Sequence, residues 1–215
     1  IALDARTTVD HEHPDATEQP LRDQEHLQLT LEETFFLAYG LGVLDVVDPE
    51  SHQICSSQVL LSIFRQHSFF PPRPISRLAP DDPFLISYVV YHHFRSLGWV
   101  VRPGIKFAVD YLLYHRGPVF AHAEFAVVII PSYDDPFYAA AASSPGAGRI
   151  ATRGRDWWWL HCVNRVQAQV HKTVLLVYVE VPPPTEQDGA ITCLLNRYKI
   201  RELILKRWTP NRGRD

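Results

Sequence analysis

The 215-residue sequence contains no methionine and only three cysteines, Cys55, Cys162 and Cys193. They are too few and too widely spaced for a disulfide framework or a pair of zinc ligands, so we expect a reducing compartment. No apolar run approaches the roughly 20 residues that a membrane-spanning helix needs. Since the chain lacks methionine and begins with Ile1, we expect it to be a fragment of a longer protein.

Hydrophobic residues make up 46% of the chain, enough to form the core of one or two compact domains and to exclude a disordered or fibrous protein. The net charge of −3 conceals an asymmetry, because residues 1–50 contain twelve acidic residues and only two basic ones. The remaining residues are basic overall, most densely near the C-terminus. A basic surface favours a polyanionic partner such as nucleic acid, although a solvated charged face is the simpler alternative.

Three helices are predicted near the N-terminus, after a polar and acidic segment, residues 1–26, that is typical of a flexible lead-in. The first helix begins at a capping box formed by Thr30 and Glu33. It continues through apolar residues at helical spacing: Leu31, Phe35, Leu37, Leu41 and Leu44. The second helix is predicted over 57–66, with four buried residues: Val59, Leu60, Ile63 and Phe64.

A third helix is predicted from Pro83 to Arg95, because proline favours the first helical turn and Gly98 ends the pattern. Residues 27–98 are therefore predicted to form a small helical domain. From Trp99 the apolar pattern takes the period of strands. The predicted strands are Trp99–Arg102, Lys106–Tyr114, His122–Ile130, Lys172–Val181 and Tyr198–Trp208.

One helix, Arg155–His171, is predicted among these strands, and residues 139–148, rich in alanine, glycine and serine, are predicted to form a surface loop insertion. Residues 99–215 are thus predicted to form an α/β domain with a mixed sheet. The overall fold class is α/β (α+β).

The sequence contains eleven histidines, but their spacing does not favour a metal site. Neither His92-His93 nor His11-x-His13 has a cysteine or carboxylate partner at the spacing of zinc ligands. Adjacent His92 and His93 on a helix cannot easily face one ion. No acidic residue lies two positions before Lys172, as the carboxylate–lysine cluster of a metal-dependent nuclease would require. We therefore expect no metal and no other cofactor.

Three residues near predicted strand ends have the side chains needed to cleave RNA without a metal: Tyr114, His122 and Lys172. One group accepts a proton from the 2′-hydroxyl, a second protonates the departing oxygen, and a cation stabilises the charge on phosphorus-bound oxygens. Histidine suits the acid role because it changes protonation near neutral pH. Spacing alone leaves the structural alternatives open: a strand-end aromatic residue, a turn histidine and a solvated lysine.

The stretch 104–127, GIKFAVDYLLYHRGPVFAHAEFAV, resembles the signature of the tRNA-splicing endonuclease family, a strand ending in tyrosine, a Gly-Pro turn and a strand that starts His-Ala. The resemblance implies a helical N-terminal unit and a restriction-endonuclease-like catalytic domain. It also implies a general base at Tyr114, a general acid at His122 and a stabilising lysine at Lys172. Ala121 stands where an aromatic residue often precedes this histidine.

Several flanking stretches are similar to the family's eukaryotic catalytic subunit that cuts the 5′ splice site: 27–37 (LQLTLEETFFL), 91–99 (YHHFRSLGW) and 204–208 (ILKRW). In such subunits an arginine and a tryptophan sandwich a bulge nucleotide at the opposite cleavage site. The matching positions are Arg165 and Trp208. Both side chain types can stack on a base, although Arg165 as a solvated helix residue and Trp208 packed on the sheet remain the structural alternative.

The resemblance implies a metal-independent transesterification of intron-containing precursor tRNA, leaving a 2′,3′-cyclic phosphate and a 5′-hydroxyl. It also implies a heterotetramer in which a structural subunit is the direct partner, joined by a second catalytic and a second structural subunit. The implied location is nuclear, or cytoplasmic or at the mitochondrial surface in some lineages. Two alternatives within the family are the sister subunit that cuts the 3′ site and a non-catalytic structural or RNA-binding subunit. A homomeric archaeal-type enzyme is disfavoured.

Overall fold

The computed structural model of the protein describes residues 27–142, 156–184 and 189–206. Within these ranges the α-helices are α1 (Leu31–Phe35), α2 (Ser57–His67), α3 (Pro83–Ser96), α4 (Pro136–Ala142), α5 (Trp157–Gln169) and α6 (Ile191–Leu195). The strands are β1 (Val100–Pro103), β2 (Tyr111–Tyr114), β3 (Phe125–Ser132), β4 (Thr173–Glu180) and β5 (Lys199–Leu205). The predicted lead-in, residues 1–26, lies outside the described residues.

The capping box at the start of α1 is confirmed. The Glu33 amide donates to Thr30 Oγ1 at 3.2 Å, and the Thr30 amide donates to Glu33 Oε2 at 3.0 Å. The helix changes to a π-helical turn over Phe36–Gly40 and ends there. The prediction that it continues through Leu41 to Leu44 is wrong, because the chain turns at Gly42, which adopts a left-handed conformation with φ of +65°.

The predicted helices at α2 and α3 are confirmed with boundaries within one residue. The predicted buried face of α2 is partly wrong. Val59 and Ile63 are exposed, whereas Leu61 is buried with Leu60 and Phe64. The Phe64 ring packs edge-on against the rings of Phe35 and Phe84. This contact orients α2 so that the Leu61 side of the helix faces the core.

The sheet has five strands in the order β1-β2-β3-β4-β5, and its mixed character is confirmed. All neighbouring pairs are antiparallel except β3 and β4, which are parallel. α5 connects β3 to β4, as a parallel crossover requires. Because both faces of the sheet are covered by helices, β3 and β4 consist mainly of apolar residues.

The predicted strand Lys106–Tyr114 is wrong in its first half, because Ile105–Phe107 form a 3₁₀ turn and β2 begins at Tyr111. Gly104 makes the turn possible, since a Cβ there would lie 2.5 Å from the Val109 side chain and 2.8 Å from its carbonyl oxygen. Ala108 then adopts a left-handed conformation with φ of +55°. The chain therefore folds back on itself before it enters the sheet.

Other boundaries also differ from prediction. β3 begins at Phe125, three residues after His122. Part of the predicted loop 139–148 belongs to α4, and its remainder lies outside the described residues. α6 was not predicted from the sequence. The predicted strand 198–208 contains β5, and its last two residues lie outside the described residues.

Two clusters of buried side chains cover the two sheet faces. The first joins α1, α2, α3 and α6 to one face through residues such as Phe35, Tyr88 and Val127. The second joins α5 to the opposite face through Val163, Ala126 and Leu176. Because one cluster extends from the N-terminal helices onto the sheet, they share a core. The predicted division at residue 98 stays a prediction.

None of the helices in the described residues is long and apolar enough to cross a membrane.

A buried ion pair links α2 to the start of α3. Arg65 Nε lies 2.7 Å from Asp82 Oδ2, and the Asp82 side chain is fully buried. The other carboxylate oxygen accepts a hydrogen bond from the Leu85 amide at 2.8 Å, which caps α3. Burial raises the pKa of Asp82 to about 6, although the Leu85 amide and Arg65 act in the opposite direction.

This raised pKa predicts a specific pH dependence of stability. The folded state retains the Asp82 proton to higher pH than the unfolded state, so stability from this group falls as pH rises from about 4 to about 6. Asp82→Asn keeps the cap and removes the titration. The wild-type advantage in unfolding free energy over this variant should therefore shrink by about 1.4 kcal/mol per pH unit in that window. Urea denaturation of both proteins across the window measures this, and an advantage that grows with pH would contradict it.

Candidate active site

The topology brings Tyr114, His122 and Lys172 to one end of the sheet. Tyr114 is the last residue of β2, and Lys172 immediately precedes β4. His122 lies in the loop that leads into β3, the strand between them. β2 is antiparallel to β3, and β3 is parallel to β4, so the end of β2 meets the starts of β3 and β4.

The strand register defines how close these positions are. Phe125 pairs with Leu113 on one side and with Thr173 on the other. The Glu124 amide donates to the Leu113 carbonyl at 2.9 Å, and the Glu124 carbonyl accepts from the Thr173 amide at 3.0 Å. Tyr114 and Lys172 each lie one residue beyond these pairs. Two strand spacings therefore separate their backbones, about 10 Å.

Tyr114 and Lys172 also share a face of the sheet. Tyr114 packs against the cluster beneath α5 that includes Leu112, two residues before it. Lys172 stands two residues before Val174, which belongs to the same cluster. Lys172 Nζ lies over the ring of Phe107, which packs against this cluster, so both functional groups project on the α5 side.

His122 is exposed on the loop between β2 and β3, not on a strand as predicted. Gly117 turns this loop with φ of +106°, and its carbonyl accepts from the amides of Phe120 and Ala121. The next residue, Ala123, is only 4% exposed and packs in the α5-side cluster. The backbone beside His122 is therefore anchored while the imidazole faces solvent.

Lys172 is half-buried and its charge is not neutralised by an acidic residue among those described. Its Nζ lies 4.7 Å from the centroid of the Phe107 ring. Nζ also donates a long hydrogen bond of 3.5 Å to the Val170 carbonyl oxygen. The ammonium group can therefore bind an anionic oxygen at the start of β4.

Two histidines adjoin these positions. The His115 ring packs edge-on against Trp99 at 6.1 Å, and Trp99 contacts the cluster on the opposite face. His171 precedes β4 in a left-handed turn with φ of +55°. Alternation along the strand therefore does not define the face on which the His171 side chain lies, because β4 begins only at Thr173.

Arg165 is exposed on α5, about one turn before the helix ends at Gln169. It forms no ion pair with any of the described residues, so its guanidinium is accessible. Trp208, the other residue of the predicted base sandwich, lies outside the described residues.

The described residues contain no group of three or more histidine, cysteine or acidic side chains placed to hold a metal ion. His92 packs against the rings of Phe36 and Tyr88, and burial lowers the pKa of its imidazole. His93 instead forms a 2.7 Å hydrogen bond with Glu202 of β5. The two side chains have separate partners, as their adjacency on a helix predicts. His11 and His13 lie outside the described residues.

Sequence reasoning missed two residues that contact this site, Phe107 and Gln167. Phe107 lies beneath Lys172, in the turn that was predicted as a strand. Gln167 is fully buried and donates from Nε2 to the Phe107 carbonyl oxygen at 2.6 Å. The signal available in the sequence is spacing, because Gln167 follows the buried Val163 by four residues on α5.

Comparison with known proteins gives related sequences over most of the chain. A relative named probable tRNA-splicing endonuclease subunit sen2, from Schizosaccharomyces pombe, is 37% identical over 215 residues, covering 89% of this chain and 52% of the relative. The tRNA-splicing endonuclease subunit Sen2 of Gallus gallus is 37% identical, covering 91% of this chain and 37% of the relative. The subunit SEN2 of Saccharomyces cerevisiae is 34% identical, covering 89% and 43%.

The chain thus spans about a third to a half of the length of these relatives. A family model described as tRNA intron endonuclease, catalytic C-terminal domain, matches residues 84–192. This match covers just over half of the chain and includes Tyr114, His122 and Lys172. The α+β fold with its five-stranded mixed sheet is consistent with that domain. The chain belongs to the tRNA intron endonuclease family.

Proposed function

We propose that this chain is a catalytic subunit of a tRNA-splicing endonuclease, and that it cleaves intron-containing precursor tRNA at the 5′ splice site. The observation that supports this most is the convergence of Tyr114, His122 and Lys172 at one end of the sheet, where Tyr114 ends β2 and the other two precede β3 and β4. The names of the relatives, all tRNA-splicing endonuclease subunits, support the substrate class.

The reaction is a transesterification. Tyr114, in its deprotonated form, accepts the proton of the 2′-hydroxyl, and the 2′-oxygen forms a bond to the adjacent phosphorus. The bond from phosphorus to the 5′-oxygen breaks, and His122 gives that oxygen a proton. The products are a 2′,3′-cyclic phosphate and a 5′-hydroxyl. Lys172 stabilises the negative charge that develops on the non-bridging oxygens.

The placement of the side chains fits these roles. His122 is exposed on an anchored loop, where it can approach a leaving group on a bound RNA. Lys172 supplies a positive charge that no described acidic residue neutralises, so the charge is available to the phosphate. This cation does the electrostatic work that a metal ion performs in other nucleases, which supports a metal-independent reaction.

The assignment to the 5′ site rests on similarity of the flanking stretches 27–37, 91–99 and 204–208 to the subunit that cuts there. Within the structure the first two of these stretches contribute α1 and the end of α3. The sister subunit that cuts the 3′ site is the alternative that the cleavage experiment below distinguishes.

We propose that β5 pairs with a structural subunit, in a heterotetramer with a second catalytic and a second structural subunit. Within the part of the chain that the structure describes, β5 is an edge strand of the sheet, and no described strand pairs with its outer backbone groups. Leu203 and Ile204 on this strand are about half exposed. We propose the nucleus as the site of action, on the resemblance alone.

His122→Ala should abolish the 5′ cut and leave the 3′ cut intact in the reconstituted complex. A general acid contributes about 100-fold or more to such a step, so the loss should be at least that large. The measurement is cleavage of an intron-containing precursor tRNA in the presence of EDTA, with the product ends analysed for cyclic phosphate. His115→Ala is the matched control and should cut both sites normally, because His115 packs on Trp99.

Loss of the 3′ cut alone would identify the sister subunit. Normal cleavage by His122→Ala at both sites would overturn the catalytic proposal and leave a structural or RNA-binding subunit. Loss of wild-type cleavage on addition of EDTA would overturn the metal-independent mechanism.

Arg165→Ala should slow the 3′ cut, made by the sister subunit, by about tenfold, because a guanidinium stacked on a bulge nucleotide contributes at the opposite site. Arg165→Lys keeps the charge and removes the planar group, so it should slow that cut nearly as much. Trp208→Ala should have the same effect. The rate of the 3′ cut is measured in single-turnover reactions for each of the three variants. Full activity of Arg165→Lys would show that the positive charge alone suffices.

A further inference from the structure

We propose that Phe107 and Gln167 are positioning residues for Lys172, and that the face of the Phe107 ring holds the ammonium group where the phosphate will bind. This inference rests on the proposed function, since it assigns a role at the same site. Neither residue belongs to the Tyr–His–Lys set, and neither contacts the RNA in this account.

The contact between Lys172 and Phe107 has the geometry of a cation–π interaction. Lys172 Nζ lies 4.7 Å from the ring centroid, within the range of about 6 Å in which the ring quadrupole attracts a cation. The lysine is half-buried and has no acidic partner among the described residues, so the ring and the Val170 carbonyl oxygen, 3.5 Å from Nζ, are the attractive neighbours that the structure shows for its charge.

Gln167 connects the two partners through its side chain and its backbone. Its Nε2 donates to the Phe107 carbonyl oxygen at 2.6 Å, across 60 residues of chain. Its own carbonyl oxygen accepts from the Lys172 amide at 2.9 Å and from the Val170 amide at 3.2 Å. One residue at the end of α5 therefore fixes both the turn that presents the ring and the start of the lysine's strand.

A purely structural role for Gln167 is a poor explanation of its burial. The side chain is fully buried, and its Oε1 has no hydrogen-bond partner among the described residues. A buried unsatisfied amide oxygen costs stability, whereas an apolar side chain of similar size would avoid that cost. The hydrogen bond to the Phe107 carbonyl is what the amide adds.

Positioning matters because a lysine side chain is long and flexible. An ammonium group that already occupies its place stabilises developing charge without reorganisation during the reaction. The ring has no charge and donates no hydrogen bond, so it can orient the ammonium group without competing with the phosphate for it.

The test compares variants at position 107 in the complex reconstituted with its partner subunits. Phe107→Leu keeps an apolar side chain and removes the ring, and it should slow the Lys172-dependent cut about threefold to tenfold in single-turnover reactions. Phe107→Tyr keeps the ring face and should cut at nearly the wild-type rate. The cut made by the sister subunit, measured in the same reactions, reports on assembly and RNA binding and should not change.

A second measurement separates electrostatics from shape. A ring-fluorinated phenylalanine incorporated at position 107 preserves the packing and weakens the negative face of the ring. The Lys172-dependent rate should then fall toward that of Phe107→Leu. An unchanged rate would overturn the cation–π assignment.

Gln167→Met keeps the side-chain volume and removes the donor, so it should slow the same cut. Because both residues act through the lysine, Phe107→Leu combined with Gln167→Met should lose no more than the larger single loss. Multiplicative losses would contradict action through one group.

Lys172→Ala distinguishes a failure of the proposed function of this lysine from a failure of the positioning proposal alone. If Lys172→Ala cleaves normally at both sites, the proposed function of this lysine fails, and the positioning proposal fails with it. If Lys172→Ala loses one cut while Phe107→Leu cuts at the wild-type rate, only the positioning proposal is overturned.

Discussion

The parallel pairing of β3 with β4 determines where the three candidate catalytic residues of this protein meet. Its register places Phe125 opposite Thr173, and the antiparallel pairing with β2 places Leu113 on the other side of Phe125. The three strand ends that meet there bear Tyr114, His122 and Lys172 at or just beyond them. A shift of one residue in either register would turn Tyr114 or Lys172 away from the α5 face.

The burial of the sheet on both faces makes this register rigid. Residues of β3 and β4 alternate between a core shared with the N-terminal helices and a second core beneath α5. Apolar strands buried on both faces cannot slip without exposing one cluster and burying unsuitable side chains. The three candidate catalytic residues lie at the end of this packed layer, where the loops leave it. A rigid scaffold with its reactive groups at the exposed end suits a reaction that depends on positioning.

The sequence predicted the elements with strong local signals. The capping box at Thr30 and the proline at Pro83 begin helices as expected. The predicted boundaries of helices and strands were wrong where tertiary contacts outweigh the local sequence pattern. At Gly104 the chain folds back through a 3₁₀ turn whose apolar residues have the pattern of a strand. The contact between Phe107 and Lys172 was therefore missed. The Tyr–His–Lys set could be predicted because the family motif names it, whereas predicting Gln167 required knowledge of a contact 60 residues away in sequence.

The central claim is that this end of the sheet holds the scissile phosphate of the 5′ splice site. The most direct test is a structure of the reconstituted complex with a precursor tRNA whose cleavage-site nucleotide lacks the 2′-hydroxyl and cannot react. The account predicts that the phosphate lies within hydrogen-bond distance of Lys172 Nζ, between the side chains of Tyr114 and His122. A scissile phosphate bound at another subunit, with this sheet end facing solvent, would contradict it.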